Sequence, residues 1–148
     1  MGYDEILRML APCGLHCGKC MAYADGDIKK HAEELKRLLG SFDNYAERFS
    51  NFIPVFKDYP SFKELLDYFS RAECKGCRQG DGKYPNCGIA QCYKDKNVDF
   101  CFQCNEFSCD KSNFDENLKS RWIKINNRLK EIGVWAYIEE TKDLPRYM

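Results

Sequence analysis

Several things are scarce in this chain, and each absence closes off a class of function. Of 148 residues only two are histidine, His16 and His31, so no histidine-centred catalytic triad stands out. There is no glycine-rich phosphate loop. No apolar run approaches the roughly 20 residues a membrane-spanning helix needs. Charge of either sign is not in excess, since 23 Lys and Arg face 23 Asp and Glu. Bulk electrostatics therefore give no pull towards nucleic acid or an anionic membrane. Internal repeats, low-complexity segments and an alternating strand–helix series are also missing, which argues against an α/β sheet.

What is there is thiol. The chain carries ten cysteines, and 44% of its residues are hydrophobic, enough for a real core. Met1-Gly-Tyr-Asp-Glu has acids where a secretory signal is basic, and no apolar run follows. Gly2 is followed at position 6 by Ile rather than the Ser or Thr of a myristoylation signal. A cytoplasmic location is expected, and in a reducing compartment cysteines mean metal or redox chemistry rather than disulfides.

Seven of the cysteines fall in one stretch, Cys74, Cys77, Cys87, Cys92, Cys101, Cys104 and Cys109, where Gly76, Gly80, Gly82 and Gly88 also cluster. Such a loop-rich segment buries too little apolar surface to offset the entropy of ordering it. A structural zinc site can make up the difference, contributing ~10–16 kcal/mol in apparent terms. Cys74/Cys77 and Cys101/Cys104 have the x2 spacing by which one turn presents two sulfurs to one ion. Cys87 and Cys92 could complete the first pair's site, and a cross-braced arrangement is equally allowed by spacing. A second cluster, Cys13-x3-Cys17-x2-Cys20, lies near the N-terminus. Its spacing is that of the radical S-adenosylmethionine enzymes, but the chain is too short for their βα barrel, and Lys19 stands where those enzymes carry an aromatic residue. All ten cysteines are candidate metal ligands. Zinc is the expected cofactor and an iron–sulfur cluster on Cys13, Cys17 and Cys20 the alternative, since both use thiolates. His16 and His31 are set aside as ligands, the first because it adjoins Cys17, the second because it lies on an amphipathic helix.

The remaining chain reads as helices. A short lead-in carries Ile6, Leu7, Met9 and Leu10. A helix capped by Asp25 or Asp27 buries Ile28, Ala32, Leu35, Leu38 and Leu39 and stops at Gly40. A second helical stretch covers 43–53. Ser61-Phe-Lys-Glu64 reads as a capping box opening a third helix with Phe62, Leu65, Leu66 and Phe69 inward. Residues 88–96 suit a short helix, and Val98, Phe100 and Phe102 a short strand. Asn113 opens the longest helix, to 132, with Phe114, Leu118, Trp122, Ile125, Leu129 and Ile132 as its seam. Gly133 ends it, and Val134 to Glu140 forms one more short helix. The basic residues Lys119, Arg121, Lys124, Arg128 and Lys130 read as a solvated face more than as a nucleic-acid site. The expected architecture is mainly α, a helical bundle with cysteine-rich, metal-stapled loops. A single domain spans 1–148: a cysteine cluster at 11–24, a helical segment at 25–72, a cysteine-rich metal-binding subdomain at 73–112 and helices at 113–148.

The cysteine register resembles that of the DUF3795 family of small bacterial and archaeal proteins of unknown function. The matching pieces are Cys13-Gly-Leu-His-Cys17-Gly-Lys-Cys20, Cys74-Lys-Gly-Cys77, Cys87-Gly-Ile-Ala-Gln-Cys92 and Asn97-Val-Asp-Phe-Cys101-Phe-Gln-Cys104-Asn-Glu-Phe-Ser-Cys109, spread over residues 11 to 112. Some relatives carry a proline where Ser108 stands and a further C-terminal cysteine pair that is absent here, so a third metal site is not carried over. The resemblance implies a cysteine-rich zinc-binding protein and supplies no activity. The expected role is a binding or adaptor module with a protein partner, its partner-facing surface made by the cysteine loops and the basic face of the long helix.

Overall fold

The computed structural model describes residues 1–148 and is mainly helical, with no strand. Its helices are α1 (Tyr3–Met9), α2 (Asp27–Leu39), α3 (Asp43–Ser50), α4 (Tyr59–Ser70), α5 (Ile89–Asp95) and α6 (Glu116–Thr141). Single 3₁₀ turns occupy Cys17–Lys19, Pro54–Asp58, Cys77–Gln79 and Cys101–Gln103. The chain divides into two compact units, one of Met1–Cys20 with Cys74–Met148, the other of Met21–Glu73. All ten cysteines belong to the first.

In the first unit Ile6 and Leu10, one turn apart on or just after α1, are both wholly buried. They pack with Phe100 and with Leu129, Val134 and Ile138 of α6. Asp115 caps α6, its carboxylate accepting from the Leu118 amide at 2.9 Å, so the helix opens after the expected Asn113. Gly133 breaks the helical path with φ 80° and ψ 164°, as a glycine stop should, and the chain resumes helical turns beyond it. The expected strand at Val98–Phe102 is not formed. Cys101–Gln103 is a 3₁₀ turn, and the Gln103 side-chain oxygen accepts from the amides of Asp99 (2.8 Å) and Phe100 (3.0 Å), taking the donors a strand partner would have used.

Asn126 is the polar centre of this core. It is completely buried, yet its amide nitrogen donates to the carbonyls of Cys13 (2.8 Å) and Trp122 (2.9 Å), while its oxygen accepts from the Phe102 amide (3.0 Å). One side chain thus fixes α6 against both cysteine-bearing loops. Asn126→Ala strands two of those loop groups without partners and is expected to cost about 2–4 kcal/mol in denaturant unfolding. A loss under 1 kcal/mol would show that the bridge is dispensable.

The second unit packs α2 against α4 through Ala32 and Leu66, with Lys36 paired to Asp67 at 2.8 Å. Phe42, Phe49, Phe56 and Tyr59 form a ring cluster with centroids 5.1–5.8 Å apart. The expected capping box is absent. The helix begins two residues before Ser61, at Tyr59, because Pro60 suits the first turn, where no amide donor is needed. The expected apolar faces are only partly buried. Leu35, Leu38, Phe62 and Leu65 are 39%, 65%, 42% and 59% exposed, since two helices cover one another along a single line.

Candidate metal centre

The N-terminal thiols sit on a tight loop. Ala11 donates to Leu15 (2.8 Å), Gly14 to Ala11 (2.8 Å) and Cys20 to Cys17 (2.9 Å), so Cys13 and Cys17 are presented from successive turns. Gly14 has φ +85°, and a Cβ there would lie 2.6 Å from Ile125 Cγ2 and 2.9 Å from Leu129 Cδ1. The loop lies that close to α6. The second thiol pair is on a turn of its own. Gly76, at φ 104°, sends its amide to Cys74 Sγ (3.4 Å), and that thiol donates to the Asp81 carbonyl (3.3 Å). An amide two residues on also reaches Cys104, from Glu106 at 3.4 Å. Amides aimed at sulfur in this way favour the thiolate form.

Folding brings these pieces together across the 53-residue excursion of Met21–Glu73. Cys17 and Cys77 are electrostatic neighbours, with Cys13 and Cys74 beside the pair. The Cys77 side chain and backbone, helped by the guanidinium groups of Arg146 and Arg78, hold the Cys17 thiol below its usual range against the opposing effect of burial. Cys77 is raised by its Cys17 neighbour and by burial. Burial pushes Cys13 up to about 11 and also raises Cys74. Arg78 is itself held by the carbonyls of Leu10 (3.0 Å) and Asp99 (2.6 Å), with its guanidinium carbon 4.8 Å from the centre of the Phe100 ring.

A second group is formed by Cys92 of α5, Cys101 of the last 3₁₀ turn, Cys104 just after that turn, and Cys109. They line one small cavity of about 30 Å³ together with Trp122, room for about one water-sized occupant. Trp122 is 1% exposed, and its indole nitrogen is buried without a hydrogen-bond partner. Cys101 is its neighbour in the cavity wall. Burial pushes that thiol up to about 12, and the indole acts in the opposite direction. Phe107 and Phe114 meet the indole edge-on at 5.1 and 5.9 Å and fix its plane.

The other candidates are placed as follows. Cys20 accepts from the Tyr147 hydroxyl at 3.7 Å, and Cys87 neighbours Cys13. His16 Nδ1 is buried without a partner, and burial with the Lys19 and Arg146 charges lowers the ring to about 4. His31 is exposed on α2, in the unit without cysteines. All ten cysteines are free thiols. No three His, Cys, Asp or Glu side chains meet at metal-coordinating spacing. The donor chemistry nevertheless fits a thiophilic ion: four cysteines in each group, with the guanidinium groups of Arg78 and Arg146 near the first and the buried indole of Trp122 near the second.

Sequence reading missed the supporting residues. Trp122 and Asn126 lie in the seam of α6, where only apolar packing was expected. Arg78 directly follows Cys77, a clue in itself, while Arg146 is 129 residues from Cys17 and left no local trace. The basic face of α6 is largely committed internally. Lys119 pairs with Asp110, Arg121 reaches the Arg146 carbonyl, and Arg128 pairs with Glu131 (2.7 Å) and Glu140 (2.9 Å).

The family model described as a protein of unknown function (DUF3795) matches residues 9–114, which include every cysteine and stop before Trp122 and Asn126. No curated protein and no solved structure matches the chain significantly.

Proposed function

This chain belongs to the DUF3795 family, and from that premise we propose that it is a thiolate metal-binding protein holding two structural zinc ions and serving as a binding module. Cys13, Cys17, Cys74 and Cys77 hold one ion; Cys92, Cys101, Cys104 and Cys109 hold the other. The observation that carries this reading is the juxtaposition of Cys13 and Cys17 with Cys74 and Cys77, thiols from two parts of the chain far apart in sequence. Bound zinc would supply cross-linking of loops that bury too little to order themselves. A four-thiolate zinc site has a net charge of −2, and Arg78 and Arg146 supply compensating charge at the first group. Sites closed by four sulfurs leave no position for a reacting water, which favours a structural role over catalysis.

Cobalt titration of the metal-free protein tests the reading. About two equivalents should bind with thiolate charge-transfer absorption, and Cys92→Ser should abolish one while sparing the other. Binding without thiolate bands would refute it. Trp122→Phe keeps an aromatic side chain and removes the buried indole N–H beside Cys101. It is expected to weaken retention at the second group about tenfold in chelator competition and leave the first unchanged. Equal retention at both groups would remove Trp122 from the site.

The alternative, an iron–sulfur cluster on Cys13, Cys17 and Cys20, draws on their spacing. It requires Cys20 to turn from the Tyr147 hydroxyl towards the other two thiols.

A further inference from the structure

The second unit contains no cysteine, and its surface raises a separate question. Lys36 of α2 pairs with Asp67 of α4, and Phe42, just beyond α2, stacks edge-on against Tyr59 at the start of α4. Position numbers rise along one helix as they fall along the other, so the pair is antiparallel. At 100° per residue, Leu35 and Leu38 are rotated about 60° and 120° from the contact residue Ala32. Phe62 and Leu65 are rotated about 40° and 100° from Leu66, in the same sense. In an antiparallel pair the same sense means the same side. The four side chains therefore make one apolar face.

From their exposures of 39%, 65%, 42% and 59%, this face presents roughly 350 Å² of apolar surface, the size of the largest apolar patch on a typical monomer, which is often a functional one. A standard interface takes about 800 Å² from each partner, of which about 450 Å² is apolar. The face supplies most of that. Phe52 and Val55, on the segment leading into α4, are a further 66% and 68% exposed.

The charges of the two helices bear on what covers it. Together α2 and α4 carry five Lys and Arg (Lys29, Lys30, Lys36, Arg37, Lys63) and five Asp and Glu (Asp27, Glu33, Glu34, Glu64, Asp67), and four ion pairs form locally, Lys30–Asp27, Arg37–Glu34, Lys36–Asp67 and Lys63–Asp43. With neither sign in excess, the pair does not select a partner of opposite charge and does not repel a copy of itself. Two antiparallel helices with one open apolar side are half of a four-helix bundle, and a two-fold axis through that side provides the other half from identical residues.

We propose that the α2–α4 face is a dimer interface, occupied by the same face of a second copy of this chain. The proposal is independent of the metal reading. Light scattering or sedimentation of the full chain, from micromolar to hundreds of micromolar, tests it. The expected mass is twice the 17.3 kDa of one chain, and Leu38→Glu with Leu65→Glu should return it to a single chain with helical content and metal content unchanged. Should that variant lose helix, the milder Leu38→Ala with Leu65→Ala is expected to weaken association at least tenfold. A wild-type chain that stays at single mass at the highest concentration overturns the proposal, as does a dimer that survives either variant undiminished.

Discussion

Cys77→Ser is expected to remove one metal equivalent per chain and to destabilise the first unit by at least about 3 kcal/mol. Two losses combine. The hydroxyl cannot replace a thiolate as a zinc ligand at neutral pH, so the ion at the first group loses one of four sulfurs. The substitution also removes the thiol beside Cys17 whose presence holds that group low. The second unit, which contains no cysteine, should keep its helices, so circular dichroism should fall only in part. Metal analysis beside a denaturant melt reads both effects. Unchanged metal content and melting would remove Cys77 from the site. Cys20→Ser offers the contrast, since the Cys20 sulfur accepts from the Tyr147 hydroxyl and belongs to neither group of four, and it should leave both metal equivalents in place.

Gly88→Ala is expected to be as damaging, for a reason unrelated to metal. A Cβ at position 88 would sit 1.7 Å from the Lys111 carbonyl oxygen and 2.9 Å from its carbon. Both belong to backbone, which cannot swing aside as a side chain can. The Gly88 amide also donates to the Ser112 carbonyl at 3.1 Å, so the two segments are held together where the methyl would enter. Separation of the 87–88 and 111–112 strands of chain would disturb α5, which carries Cys92, and the segment bearing Cys109. Loss of at least about 3 kcal/mol, with weakened metal retention at the second group, is the expected result. An Ala variant with wild-type melting would mean the two segments part easily.

How much of this could be read in the sequence depends on the range over which each signal acts. Helices reveal themselves locally. The stops at Gly40 and Gly133 and the short helix carrying Ile89 follow from spacing and from glycine's access to positive φ. Helix starts were less legible, because capping residues compete: Asp115 took the role expected of Asn113, and Pro60 drew the start of α4 ahead of Ser61. Periodicity marked Leu35, Leu38, Phe62 and Leu65 as apolar faces, but it cannot say whether a partner layer exists within the chain. The grouping of the thiols lay beyond spacing altogether. Cys17 lies nearest in sequence to Cys20, yet its thiol is set chiefly by Cys77, and only the folded chain brings those loops together. The second group is four cysteines from a single stretch, but its buried donor comes from Trp122 on α6.

The most direct test of the central claim is metal content per chain on protein purified without oxygen, with the visible spectrum of the same sample. The account expects colourless protein with about two zinc ions per chain. Brown protein containing iron and acid-labile sulfide would contradict it and transfer attention to Cys13, Cys17 and Cys20. Protein that folds with no metal at all would contradict it more deeply, leaving the Cys17–Cys77 contact as thiol chemistry alone.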